Sequence, residues 1–456
     1  MLSWVKMSEA DPTTGNAERP PRLRRWGRFG LQVLAWLAVL TVVPGLVWLT
    51  VGSRMAARRE AELGSALQAA AGGGELPSFA RLPSAVDPSA ARLAELVEGV
   101  GIRLLPRPAA DAAAPAAEAP AADPARFAEL TAYLFAQLGR EDGGLDRPPA
   151  AVAAFLGEHQ DALRAVCHHI VEAGPPHWAE RASLFDRAEL DPVGYRWLQR
   201  LVMVDALAAS EAGAPERAEE SLVASWSLNQ GLLEVAEPGA VLQALEVTAV
   251  HAAALRAVDV NQQPWLDRLQ SVDVRGAARR ALVADAWLWV EAVRSGQAWD
   301  EVAMAGPGAR FEPIARPWLR MGMVERGWAA LAALDELEAS VMGETDLEVL
   351  EQMRRDGLAG WNLVGRLTWT SLAPVVVEAA ETALELELTA QVLEARRHRS
   401  ATGEWPETPA APESRAVPGL RWTYAVAGGN GPTVVLAGAG ASLNLSAGLG
   451  RERAGR

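Results

Sequence analysis

Five side chains of the kind that hold zinc fall within one short stretch: His159, Cys167, His168, His169 and His177. Their spacing works against a shared ion. On one helix His159 and His168 stand nine residues apart, about 900° of rotation, and point to opposite faces. No pair has the i,i+4 spacing of a helical metal site. His177 follows Gly174-Pro175-Pro176, where the chain could fold back, so the five remain the metal candidates although no metal is expected. Cys167 is the one cysteine, which excludes an intramolecular disulfide and cysteine-rich zinc or iron–sulfur sites. Its expected role is that of a small core residue.

Carboxylate pairs offer general acid–base chemistry: Asp285 with Glu291, Glu381 with Glu385, and Glu348 with Glu351. On alanine- and leucine-rich helices such pairs read as solvated faces matched by arginines such as Arg354 and Arg396. The chain has 17 tryptophans. Trp287 and Trp289, two apart on a helix, cannot share a face, so at least one is expected to be exposed, and a tryptophan-lined groove for a peptide, glycan or lipid is the functional alternative. Core filling is the plainer reading.

Other chemistries are excluded. Lys6 is the only lysine, so the body cannot form a Schiff base or supply a P-loop lysine. No GxGxxG follows a strand pattern, and GxSxG, HExxH and SxxK are absent. No cofactor is expected. The net charge is −14, the first 52 residues are basic, and the body is therefore more acidic than the whole. With no basic face, nucleic acid is not an expected partner.

The elements that must position these residues begin with an anchor. Phe29 to Val51 is 23 residues without a charge, enough to span a hydrocarbon core of about 30 Å. A cleaved signal peptide is the competing reading, but its apolar region is shorter and Val51-Gly52-Ser53-Arg54 is a poor cleavage site. Arg19, Arg22, Arg24, Arg25 and Arg28 precede the span and Arg54, Arg58 and Arg59 follow it, which predicts a cytoplasmic N-terminus. Residues 1–28 are then a cytoplasmic basic tail, 29–51 a transmembrane helix and 52–105 a helical stalk region. The alanine- and proline-rich stretch 106–124 has no large apolar side chain and reads as a linker.

Residues 125–400 carry helical periodicity. One apolar stripe runs through Trp197, Leu198, Leu201, Val202, Val204 and Leu207; Gly213-Ala214-Pro215 turns the chain, and Leu222, Val223, Trp226 and Leu233 form the next. Ala206 and Ala218 stand where a tetratricopeptide unit has small residues, but its 34-residue period does not recur. Leu358 to Val377 is apolar enough to suggest a second span, yet Arg366 at its centre favours a buried helix. Val377 to His398 reads as an amphipathic helix. Residues 401–456 form a small β-hairpin tail, with strands at Leu420–Val426 and Thr433–Ala437 around Gly428-Gly429-Asn430-Gly431, and Gly438 to Gly450 adding an irregular strand. The expected fold is mainly α: an N-terminal transmembrane helix, an irregular helical-hairpin, tetratricopeptide-like bundle, and a small C-terminal β-hairpin.

The run from Glu387 to Pro409, with Arg396, Arg399, Gly403, Trp405 and Pro406, resembles a segment of uncharacterised bacterial membrane-anchored helical proteins. In those a helix with an arginine-rich end leads through a Gly-x-aromatic-Pro step into a short β region. Asn362 to Pro374 and the hairpin around Gly213 look similar too. The same step resembles the pseudopilin head of type II secretion, whose N-terminal methylation motif this chain lacks. The resemblance implies fold and location, in the bacterial inner membrane with the body outside the cytoplasm, and no activity.

The leading expectation is a non-enzymatic cell-envelope scaffold or adaptor, anchored by one helix and binding another protein through its helical body. An envelope hydrolase using carboxylates or the His159–His177 region is the alternative. An accessory of a type II secretion or pilus-like apparatus is a third.

Overall fold

The computed structural model describes residues 43, 46, 50–71, 87–105, 124–140, 144–178, 190–295, 312–339, 372–417, 419–426, 432–437 and 446–448. The chain divides at Met55 into two units. In the first, the described positions 43, 46 and 50–55 are helical, and Val43, Leu46, Val51 and Met55 are exposed. The rest of the anchor expected at 29–51 lies outside the described residues. Among the described residues, Pro238–Ala257 is the one helix long and apolar enough to cross a membrane, and it is a core helix.

The second unit is mainly helical. Its helices are α1 (residues 56–70), α2 (Pro88–Glu98), α3 (Pro124–Leu138), α4 (Ala150–Glu158), α5 (Gln160–Ala173), α6 (Pro192–Glu211), α7 (Pro215–Glu234), α8 (Pro238–Ala257), α9 (Gln262–Ser271), α10 (Val274–Ser295), α11 (Glu312–Ala339) and α12 (Ala373–Thr402). Proline opens α2, α6, α7 and α8. There its missing N–H costs nothing and its fixed φ suits the first turn. Asp191 caps α6 by accepting from the Val193 N–H at 3.0 Å. The α6–α7 turn needs glycine, because Gly213 sits at φ 76° and the next amide, Ala214, closes onto the Ala209 carbonyl at 2.9 Å. Ala206 and Ala218 are both buried at this hairpin.

One core runs through α2–α10 and into α11 and α12. Helix α1 belongs to it as well, so the residues read as a stalk are docked. Leu63 and Leu67 are fully buried, and Glu60 accepts from Arg320 at 2.9 Å and from Arg294 at 3.4 Å. The Ala61-to-Ala70 side is held by Arg279, which donates to the Ala70 carbonyl at 2.8 Å. An Ala/Leu helix reads as free from composition alone, because its buried partners on α10 and α11 lie more than 200 residues away. The linker 106–124 lies outside the described residues apart from Pro124, which opens α3. Most of the 358–377 segment also lies outside them, and its last residues open α12.

The C-terminal strands β1 (Arg421–Val426), β2 (Pro432–Ala437) and β3 (Ser446–Gly448) form a small antiparallel sheet in that order. Arg421 pairs with Ala437 and Val426 with Pro432. This sheet is not a free tail. Trp422, Val434 and Leu436 pack with Val417 and Leu420 onto Leu384, Leu388 and Val392 of α12. Helix α12 therefore buries two faces, since Val375, Val376, Ala379, Leu386 and Leu393 join the main core. Its expected solvent face is mostly spent on the sheet and on ion pairs.

Candidate functional site

The histidine and cysteine candidates do not converge. The helix breaks at His159, which lies between α4 and α5 with its ring 4.5 Å from that of Phe155. Cys167 is buried with its thiol 4.0 Å from Ser221 Oγ, and burial pushes that thiol up to about 12, so it is no nucleophile. His168 is exposed beside Glu172 at 3.2 Å, His169 meets the Ser89 carbonyl at 3.0 Å, and His177 meets Glu234 at 3.1 Å. Among the described residues no three His, Cys, Asp or Glu side chains are placed to share a metal ion.

The tryptophans divide as their spacing requires. Trp289 is buried with Ala292, Val293 and Met323, and its Nε1 has no hydrogen-bond partner among the described residues. Trp287 is half-buried in a small cleft with Gly64 and Arg294. They do not form one groove. Asp285 pairs with buried Arg326 at 3.6 Å, and Glu385 with Arg256 at 2.7 Å. Arg396 donates to the Arg256 carbonyl at 2.6 Å. Glu348, Glu351 and Arg354 lie outside the described residues.

Two polar constellations emerge that spacing did not single out. The first is a seam inside α6–α8. Ser221, Ser225 and Asn229 recur every four residues along α7, so they share one face, and that face is buried. Asp205 Oδ2 accepts from Ser221 Oγ at 2.7 Å and from Arg217 Nε at 3.3 Å. Asn229 donates to Thr248, and Ser225 Oγ lies 3.2 Å from His251 Nδ1. This Ser–His pair resembles half of a hydrolase triad, but both residues are fully buried and, among the described residues, no carboxylate bonds the ring. His251 sits against Trp226 and Trp265, and burial, with Arg268 nearby, lowers its pKa to about 3. A ring whose affinity for a proton is so lowered, and which sees no solvent, is a poor general base. The i,i+4 serine pattern was the signal that could have revealed the seam.

The second constellation lies where the body meets the C-terminal segment. After α12, Gly403 adopts φ 83° and stops the helix, and Arg399 then stacks over Trp405 at 4.4 Å. That is the local meaning of the Gly-x-aromatic-Pro step. The chain returns along α12 and is gripped by its backbone. Gln391 Nε2 donates to the Ala411 carbonyl at 2.7 Å. Glu387 accepts four bonds: Ser414 Oγ at 2.6 Å, the Arg415 N–H at 2.7 Å, the Ala416 N–H at 2.6 Å and Trp422 Nε1 at 3.2 Å. Arg275 of α10 donates to the Ala416 carbonyl. The strand-like contact continues to β1, where the Trp422 N–H donates to the Pro412 carbonyl at 2.7 Å. Pro412 has no N–H, so the ladder goes no further.

Beside this segment opens a cleft of about 420 Å³ between the α9–α10 turn, α12 and residues 410–416. Its apolar floor is Leu269, Val272, Val274 and Leu386, and its charged rim holds Asp273, Arg275, Glu394, Glu413 and Arg415. The volume falls in the range of small-molecule and peptide sites. Its carboxylates are engaged: Glu387 as described, Glu394 with Arg397 at 2.5 Å, Glu413 with Arg421 at 3.2 Å, and Asp273 with the Gly276 N–H at 2.7 Å. These carboxylates are committed to contacts within the chain, so the cleft reads as equipped for recognition more than for acid–base work. Models of known protein families, curated proteins and solved structures give no match to this chain.

Proposed function

We propose that the chain is a scaffold or adaptor of the bacterial cell envelope. In this reading residues 29–51 anchor it in the inner membrane, the body lies outside the cytoplasm, and the body binds another protein without catalysis. The observation that carries the reading is the cleft beside α12, whose walls hold peptide backbone through Gln391, Glu387 and Arg275. The α6–α7 hairpin, with its tetratricopeptide-like Ala206 and Ala218, supports a hairpin-built scaffold in the same sense. A hydrolase has less behind it, because the Ser225–His251 pair is sealed in the core, the Ser89–His169 pair, at 3.2 Å, shares its ring nitrogen with the Ser89 carbonyl, and the cleft carboxylates are already bonded.

The test is photo-crosslinking in intact cells, with a photoreactive residue at exposed Gln270 on the cleft rim and, as reference, at exposed Arg164 on α5. A discrete, near-stoichiometric adduct from position 270 and none from 164 supports the adaptor. No adduct from position 270 rejects it, and assays for hydrolase activity follow. The secretion-accessory alternative rests on the sheet that follows Gly403, Trp405 and Pro406. It predicts instead an adduct from exposed Thr423 of β1.

A further inference from the structure

Two guanidinium groups at the α12 cleft lack what the neighbouring charges have. The Arg275 side chain spends Nη2 on the Ala416 carbonyl, yet its Nε is shielded from solvent with no acceptor among the described residues. A guanidinium with an unbonded N–H is costly to bury, so an acceptor that reaches it gains what the empty cleft forgoes. Arg415, one residue from that contact, is exposed, and no described acceptor meets its guanidinium. Every carboxylate of the rim, by contrast, already has a donor. The unmet demand is therefore for an acceptor, on a ligand whose apolar part covers Leu269, Val272, Val274 and Leu386. Because the chain is acidic overall, at −14, a polyanion is repelled much more strongly than a single carboxylate on a short apolar segment.

We infer that this cleft binds an extended partner segment bearing one carboxylate beside an apolar side chain, the carboxylate bridging Arg275 and Arg415. The inference rests on the adaptor reading and names the chemistry of its partner. Guanidinium and carboxylate suit one another through charge-assisted bonds, and Arg415, being exposed, is free to close over a ligand. The adjoining residues 411–416 show how such a segment is held, since α12 already grips them by main-chain groups.

The probes are two capped tetrapeptides, Ac-Ala-Leu-Asp-Ala-NH2 and Ac-Ala-Leu-Asn-Ala-NH2, titrated into the full-length chain carrying labelled valine and leucine methyls. The aspartyl peptide is expected to shift Val272, Val274 and Leu386 saturably. The asparaginyl peptide should bind about tenfold more weakly, the step that 1.4 kcal/mol represents. Arg415→Glu should abolish the difference, and Arg164→Glu, the same charge change on α5, should leave it intact. Equal binding of the two peptides, no saturable shift, or indifference to Arg415→Glu overturns the inference. An adduct at position 270 alongside such a failure would leave the adaptor standing and reject only the carboxylate. Absence of the adduct rejects the adaptor itself.

Discussion

Asp205, Ser221, Ser225, Asn229, Thr248 and His251 form a polar seam inside α6–α8, whereas Glu387 and Gln391 form another along α12. In the first, side chain meets side chain, solvent is excluded, and several atoms such as His251 Nε2 and Asn229 Oδ1 have no partner among the described residues. In the second, side chains meet backbone at the edge of an open cleft. The inner seam has the more suggestive residue types, a serine, a histidine and an aspartate. The outer one has the access. Catalytic residue types without a path to solvent specify how helices fit together, and recognition falls to groups that ligands can reach.

The strongest way to break this contrast is Asp205→Ala. It leaves Arg217 and Ser221 without their acceptor in a buried place, and breaking such a pair costs about 3–5 kcal/mol, somewhat less here because Arg217 is one-third exposed. Denaturant unfolding should show one cooperative transition at much lower midpoint. Glu387→Ala should cost about 2–3 kcal/mol, since four donors lose one acceptor. Its effect should be local, with amide exchange accelerating at Arg415, Ala416 and Trp422 while α6–α8 stays protected. If protection fell equally in both places, the two seams would be one cooperative unit and the comparison would fail.

A third prediction uses pH. His251 titrates near 3 when folded and near 6.5 when unfolded, so the unfolded chain binds the extra proton between those values. Stability is then full above pH 6.5 and falls as pH drops towards 3, by on the order of 2 kcal/mol at pH 5. His251→Gln should flatten the thermal-melting profile between pH 7 and 5 relative to the parent chain; an unchanged slope would remove His251 as its source. The smallest effect belongs to Arg415→Glu, expected within about 0.5 kcal/mol in stability because the side chain is exposed. A larger loss would mean that Arg415 holds the fold and does not merely line the cleft.

Much of the helical layout was legible in local chemistry. The turn at Gly213-Ala214-Pro215 and the apolar stripes on either side of it marked α6 and α7, and the run from Leu420 to Val426 marked β1. What escaped is what depends on distant neighbours. Nothing near Glu60 announces Arg294 and Arg320, so α1 read as a stalk. Likewise Leu384, Leu388 and Val392 read as one side of an amphipathic helix, and their cover, Trp422 and Val434, lies beyond the next turn. The cleft was invisible for the same reason, since α9, α12 and residues 410–416 meet only in the folded chain. Truncation after Ser400 would therefore expose that face of α12, and point substitutions are the sounder probe.

The docking of α1 also sets an order of events for a growing chain. Its ligands Arg294 and Arg320 come 234 and 260 residues after Glu60, so the helix emerges long before its seat exists. At about 5–20 residues per second the wait is on the order of 10–50 seconds. Until then Leu63 and Leu67 lack the seat on α10 and α11 that the folded body gives them, and the contact closes one of the longest loops in the fold. The first part of the body to be synthesised is thus among the last to be secured.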